Sequence, residues 1–588
     1  MNKINLTHSI TALLLVCLLA LPGCEMEELQ KSKASKEAVF GSEKGLELYT
    51  NSFYDLLPGN ETGVFTKDET SDLVAITSVS SLLTPNALNP STSSGWDWGA
   101  LRNINYFIQN AEKSDIKGKE RFLGIAHFFR AYFYFEKVKR FGDVPLISEP
   151  IATNDSTTLF GTRDSRFDVM ESVLSDLDYA IEHLAQASDQ TRTKITRDVA
   201  LAYKTRICLY EASFRKYHTE YNMQHTADKW YREVIKAADM ISGYSLVEGP
   251  NAYRELFMAE RPNPEEVIHA VVMNQGLQIY NARNRKTISP TYGNRPALNR
   301  DFIKMYLNAD GSSYMTRDHA IQLPLEEELS GRDPRLTQTI RPIDYMRTSN
   351  GTPVVSPPNF GECYTGYQII KGLYDEIHPY DDETRNLNAH LLFRYAEILL
   401  NKAEALAELA QMTDIEWTKT IGALRARAGI VGESLTHLPT EADPYLLQYY
   451  KGRFTDPVLL EIVRERAVEM ILEGLRYDDL IRWRLGELLE QPMKGIYVDA
   501  LGAQDFNGDG INDVVFYAEG STPTVDATSK IEISMNGAGN GKYHLTNGTQ
   551  GELVWTPGPR QWEDKKYLYP IPESDLLDNK NLGQNPGW

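Results

Sequence analysis

The run Asp505-Phe506-Asn507-Gly508-Asp509-Gly510-Ile511-Asn512-Asp513 sets oxygen-bearing groups at the first, third, fifth and ninth positions of an EF-hand-like loop, with glycine at the sixth. Calcium takes about six to eight oxygens. This loop offers the carboxylates of Asp505, Asp509 and Asp513, the Asn507 amide and the Ile511 carbonyl. It departs at the twelfth position, where Phe516 replaces the bidentate glutamate, so a further ligand must come from elsewhere or from water. The spacing predicts a structural calcium site; a plain acidic turn between strands is the alternative. Catalytic grammar is otherwise missing. There is no His-Glu-x-x-His, no Cys-x-x-Cys and no Gly-x-Ser-x-Gly. In Gly537-Ala538-Gly539-Asn540-Gly541-Lys542 the spacing is wrong for a phosphate loop, and Tyr543 stands where Ser or Thr would bind magnesium. Glu473, Asp478 and Asp479 lie close together, but among Arg464, Arg466, Arg476, Arg482 and Arg484 they read as ion-pair partners rather than a glycosidase pair.

The elements that must carry these residues are mostly helices. Apolar periodicity begins near Ser42, with Leu46, Tyr49, Phe53 and Leu56, and stops at Pro58-Gly59. A Ser/Thr-rich segment with Asp68 to Asp72 early in it ends at Trp96-Asp97-Trp98. Helices are then expected over 101–112, 120–140, 166–186, 198–217 and 227–242. The aromatics of 120–140 are core by periodicity, and the similar lengths suggest tetratricopeptide-like pairs without a strict repeat. From about 275 to 386 the texture changes to loops and small strands. Helices resume over 389–411, 416–428 and 457–489, the last with Asp456 as N-cap, Pro457 in its first turn and a bend at Gly474. A Gly/Asn-rich, weakly strand-like stretch follows.

The first residues describe export. The run 10–21 is apolar but too short to span a bilayer, and Leu21-Pro22-Gly23-Cys24 follows it. This ending resembles a bacterial lipoprotein signal, in which Cys24 becomes the lipidated N-terminus. Residues 1–23 would be the leader and 24–40 a flexible tether, leaving 41–588 as one domain with a helical scaffold (41–274, 387–490) and a loop-rich lobe (275–386, 491–588). No later run could span a membrane, so the membrane is reached through the lipid anchor. A formal charge of −20 argues against nucleic acid and against adhesion to anionic lipid. Of the four cysteines, Cys208 and Cys363 remain in the body, with no disulfide framework; Cys208 reads as a small buried hydrophobe.

Several segments together resemble the SusD/RagB family of Bacteroidetes surface lipoproteins. They are Arg140-Phe141-Gly142-Asp143-Val144-Pro145, Arg332 to Leu336, Thr365-Gly366-Tyr367, Phe393 to Ala405, Glu465 to Glu469, Glu473 to Trp483 and Gln584 to Trp588. They run in the family's order over nearly the whole mature chain. The resemblance implies a mainly α, SusD-like scaffold with tetratricopeptide-like helix pairs and a loop-rich face. It also implies a non-catalytic lid on a SusC-type TonB-dependent outer-membrane transporter, catching an oligosaccharide or, in the RagB branch, a peptide. The acidic start of the tether (Glu25, Glu27, Glu28) resembles the family's surface-export signal. Trp96 and Trp98, two apart in a Gly/Ser loop just before Arg102-Asn103-Ile104-Asn105, are expected as stacking platforms for sugar faces. Asp72 is expected as a hydrogen-bond acceptor, and Tyr292, Tyr364 and Tyr367 as ligand contacts from the lobe. A surface glycosidase and a purely structural subunit are the rival readings.

Overall fold

The computed structural model describes residues 36–59, 65–152, 154–185, 189–378 and 380–588. Cys24, the leader and the tether up to residue 35 lie outside them. The last part of the expected tether is helical: α1 (Lys36–Phe40) ends in Phe40, buried against Tyr49 and Phe107. Ser42 accepts from Gly45 N (3.1 Å) and so caps α2 (Glu43–Asn51). Next come α3 (Gly99–Glu112), α4 (Glu120–Phe141), α5 (Arg166–His183), α6 (Arg197–Tyr217) and α7 (Ala227–Asp239). They pack as neighbours, α4 on α5 and α6 on α7. As expected, Phe122, Phe128, Phe129, Tyr132, Phe133 and Phe135 of α4 are core, and Cys208 is fully buried. Gly142 ends α4 at φ 76°, where a Cβ would meet Leu568 Cδ1 at 2.8 Å. Only glycine suits both the dihedral and the approach.

The short α8 (Ala252–Met258) leads to β1 (Val267–Val271), which pairs antiparallel with β2 (His390–Arg394). The helix expected from residue 389 therefore starts later, as α9 (Tyr395–Glu408). Its first residues form a short apolar run, for which periodicity cannot separate strand from helix. Residues 418–422 make a π turn before α10 (Ala423–Ala428). Asp456 caps α11 (Pro457–Glu469) by accepting from Val458 N at 2.8 Å. This helix stops twenty residues short of the expected Leu489: Leu472 and Gly474 take φ of 64° and 75°, and α12 (Arg476–Arg482) starts afresh. After residue 491 the weakly strand-like stretch is a six-stranded mixed sheet. Its strands are β3 (Met493–Val498), β4 (Gly502–Gln504), β5 (Val514–Ala518), β6 (Ser529–Ile533), β7 (Lys542–Leu545) and β8 (Gly551–Thr556), in the spatial order β3-β8-β7-β6-β5-β4.

Three apolar cores result among the described residues: one among α3–α7, one uniting α9, α11, α12 and the sheet, and a small one around α8, β1 and β2. Between lobe and scaffold runs a buried ion network. Arg335 binds Asp333, Glu465 and Glu469 (2.7, 2.6 and 2.7 Å); Arg394 binds Glu266, Glu469 and Glu473 (2.9, 2.6 and 2.7 Å). Glu473 also takes Lys371 (2.8 Å), and Asp479 takes Arg466 and Arg482 (2.8 and 2.9 Å). The carboxylates near α12 are ion-pair partners, as their arginine-rich surroundings foretell.

A candidate ligand-binding cleft

A cleft of about 400 Å³ opens where α4, α6 and α12 meet the turn Phe65–Glu69, residues 80–82 and the C-terminal segment. Its walls carry Tyr210, Tyr477, Tyr567 and Tyr569, with Glu136, Lys139, Arg140 and Asp478 among them and Lys67, Ser80 and Ser81 opposite in sequence. Lys139 Nζ stands 3.0 Å from Glu136 and 2.7 Å from Asp478. Burial pulls its pKa down, yet the two carboxylates outweigh burial and hold the ammonium above its usual range. Arg140 lies flat on Tyr569, guanidinium carbon 4.0 Å from the ring centroid, and its Nε donates to Ser94 O at 3.0 Å. In turn Tyr569 N donates to Arg140 O (2.7 Å). One helical face away, Lys137 donates to Gly95 O and sits 5.4 Å over Trp98. Burial lowers its pKa to about 8 against the pull of Asp97. Arg140 and Lys137 thus fix the 94–98 loop to the helix that walls the cleft.

Trp98 is half-buried on this ledge, edge-on to Trp96 (5.3 Å) and Phe133 (5.7 Å). Tyr292 is 70 % exposed, backed by the Arg285 guanidinium at 4.4 Å. Two residues on, Asn294 donates to Glu69 (2.8 Å), so the Tyr292 loop borders the same turn that brings Lys67 to the cleft. Trp98 and Tyr292 are thus each tied to an element that walls the cleft, without lining it. The other expected contacts are buried. Trp96 is buried edge-on to Phe141 (4.9 Å). Asp72 is held by Arg476 (2.8 and 2.7 Å) and by the Tyr449 hydroxyl (2.6 Å). Tyr367 is fully buried, donating to Glu328 at 2.6 Å. Tyr364 is buried in a parallel stack on Trp555 (4.4 Å, 21°), its hydroxyl on Thr77. These four belong to the interior and not to the surface, because side chains distant in sequence, among them Arg476 of α12 and Trp555 of the C-terminal sheet, cover loops that look open in sequence. In the sequence Arg140 and Tyr477-Asp478 stand only within the family-like segments, and nothing in those segments foretells that they converge with Tyr567 and Tyr569 on the cleft. The alternation in Tyr567-Leu568-Tyr569, two tyrosines around one leucine, was the available signal.

The Asp505–Asp513 loop lies apart from this cleft. Asp505 accepts from Gly508 N and Gly510 N, both at 2.8 Å; Asn507 accepts from Asp509 N, Asp509 from Ile511 N and Asp513 from Phe506 N. The turn is closed by its own amides, and among the described residues no three carboxylate, histidine or cysteine groups are gathered for a metal ion. Burial, with the nearby charges of Asp505 and Asp509, raises the Asp513 pKa.

Residues 266–588 match the family model described as the SusD family, and residues 97–209 match one described as starch-binding associating with outer membrane. SusD-like protein P38 of Formosa agariphila is 24 % identical over 519 residues, covering 84 % of this chain and 94 % of that protein. Among solved structures, a SusD-like protein of Bacteroides fragilis superposes with a TM-score of 0.66 at 22 % identity, over 95 % of this chain and 100 % of the other. A SusD-like carbohydrate-binding protein of the same species gives 0.67 at 19 % identity, over 93 % and 100 %. The first model spans more than half of the sequence and contains the ion network, α11, α12 and the sheet. The chain belongs to the SusD family.

Proposed function

We propose that this protein is a non-catalytic, lipid-anchored oligosaccharide-binding protein of the outer membrane that acts as the lid of a SusC-type TonB-dependent transporter. The observation that carries the reading is the cleft itself, on whose walls Tyr210, Tyr477, Tyr567 and Tyr569 stand among the paired charges of Glu136, Lys139 and Asp478, with half-buried Trp98 on the loop that Lys137 and Arg140 hold to the same helix. Such a cleft suits a neutral, hydroxyl-rich chain: rings take the apolar sugar faces, and fixed carboxylates and cations take hydroxyls as donors and acceptors. The names of the relatives, one a SusD-like carbohydrate-binding protein, support the same class. Glu136 and Asp478 share one ammonium, so both act as acceptors and neither is arranged as the protonated acid that glycoside hydrolysis needs. No helix among the described residues is long and apolar enough to cross a membrane, which leaves Cys24 as the expected attachment.

Titration calorimetry against a panel of neutral oligosaccharides tests the reading. Binding is expected without release of reducing sugar, and Trp98→Ala is expected to weaken it at least about tenfold, the cost of removing one buried aromatic contact. Affinity for peptides alone would replace the sugar reading with a RagB-like one. A structural calcium ion at Asp505–Asp513 belongs to the same proposal, since three carboxylates, an amide and a carbonyl stand at calcium-loop spacing on this turn. Calcium is expected to raise the melting temperature and EGTA to reverse the rise; a melt indifferent to both would remove the ion.

A further inference from the structure

A second hollow, of about 960 Å³, shares no lining residue with the cleft. It is bounded by residues 244–250 between α7 and α8, the start of α9, α10 with its Gly429 cap, and Pro334 and Gln338. Tyr244 and Tyr395, both half-buried, stand at its edge with rings near parallel, 21° apart in plane and 6.4 Å between centroids. Tyr244 is held in place by Arg192, whose Nη1 donates to its hydroxyl at 3.3 Å and whose guanidinium carbon lies 5.1 Å from its ring centroid. Deeper in, Tyr253 is locked by Lys371 (2.8 Å) and by Glu469 O (2.9 Å).

The charged groups around the hollow narrow what can enter. Arg427 has a side chain only 2 % exposed; its two terminal nitrogens bind Glu266 and Glu469. Its charge is thus met from within the fold. Glu248, Glu265 and Lys419 line the same space. An anion entering here would meet Glu248 and Glu265, and a cation would meet Lys419. A hydroxyl both accepts and donates, so a polyhydroxylated ring answers the carboxylates and the ammonium together while lying against a tyrosine face.

We infer that this hollow is a second saccharide site, independent of the cleft, taking a short neutral oligosaccharide through Tyr244, Tyr395 and the polar groups of Glu248, Glu265 and Lys419. The inference rests on the reading of the protein as a sugar binder. Maltotriose, cellotriose, xylotriose and mannotriose are titrated into the whole protein, Trp98→Ala/Tyr569→Ala, Tyr244→Ala, and Ala426→Trp, which fills the hollow from an exposed helix position. Expected are two sites for at least one trisaccharide. Tyr244→Ala and Ala426→Trp each remove one or weaken it at least tenfold at unchanged melting temperature, and the double variant leaves that site intact. One site, lost in the double variant and indifferent to Tyr244→Ala and Ala426→Trp, would overturn the inference and keep the cleft. One site lost only through Tyr244 or Ala426 would keep the hollow and overturn the cleft. Silence from every trisaccharide would overturn both.

Discussion

Glu469→Ala is expected to lower stability by about 3–5 kcal/mol, the effect of stranding buried charges by removing one partner. Glu469 is completely buried, yet its carboxylate receives Arg335 (2.7 Å), Arg394 (2.6 Å) and Arg427. Burial alone would raise its pKa; the three guanidiniums reverse that and hold it far below the ordinary carboxylate range. By sign, a depressed folded pKa contributes stability above the unfolded value and loses it only as pH falls through the folded one. The contribution is therefore complete at neutral pH and survives into strong acid. Urea unfolding at pH 7 measures it: the midpoint falls while the slope holds, because the surface exposed on unfolding is the same. Glu469→Gln, which keeps an acceptor but no charge, falls between parent and alanine. A parent-like midpoint for the alanine variant would mean that the arginines find other partners. The network joins α11 to β1–β2 and to the Asp333–Arg335 turn, so the loss should loosen the junction of lobe and scaffold.

The legible parts of this chain are those whose cause is local. The helix start near Ser42 was read from apolar spacing, that at Asp456 from a capping residue, α4 from its aromatic period, and the ion-pairing of Glu473 and Asp479 from the arginines around them. What failed depends on contacts distant in sequence. Nothing local in His390–Arg394 announces a strand, because its partner β1 is more than a hundred residues away. Loop aromatics such as Tyr364 and Tyr367 look like surface until Trp555 and Glu328 arrive to cover them. Asp72 looked like a free acceptor, while its partner Arg476 stands 404 positions on. Trp98 and Tyr292 keep exposed ring surface because flanking Gly, Ser, Asn and Pro residues give a ring little to be buried by. The cleft itself was assembled from segments already noticed, and only the fold brings Arg140, Tyr477 and Tyr569 to one place.

The lip of that cleft is expected to respond to pH through Asp68. This residue sits on the Phe65–Glu69 turn, fully buried, and its carboxyl accepts from Gly474 N (3.1 Å) and Arg476 N (3.2 Å) at the start of α12. Among the described residues no guanidinium pairs with it, and Arg476 is spent on Asp72. Burial, reinforced by Asp479 and Glu473 and opposed by the two amides, pushes its pKa up to about 7. The sign is opposite to that of Glu469. A raised folded pKa gives stability that is complete below the unfolded value near 3.8 and is lost as pH rises through about 7. The gap between those values is worth on the order of 4 kcal/mol, so ionised Asp68 should weigh against the folded state above neutrality. Asp68→Asn keeps an amide-accepting oxygen and removes the charge. It should match the parent at pH 4, diverge steadily, and unfold at higher urea than the parent at pH 8. In the parent, hydrogen exchange over residues 66–72 should quicken between pH 6 and 8 beyond its intrinsic rise, and the variant should lack that excess. Because Lys67 and Thr70 line the cleft, sugar affinity in the parent should fall over the same interval, and the variant should hold it. A constant difference between the two proteins at pH 4 and pH 8 would place the effect in packing and not in titration.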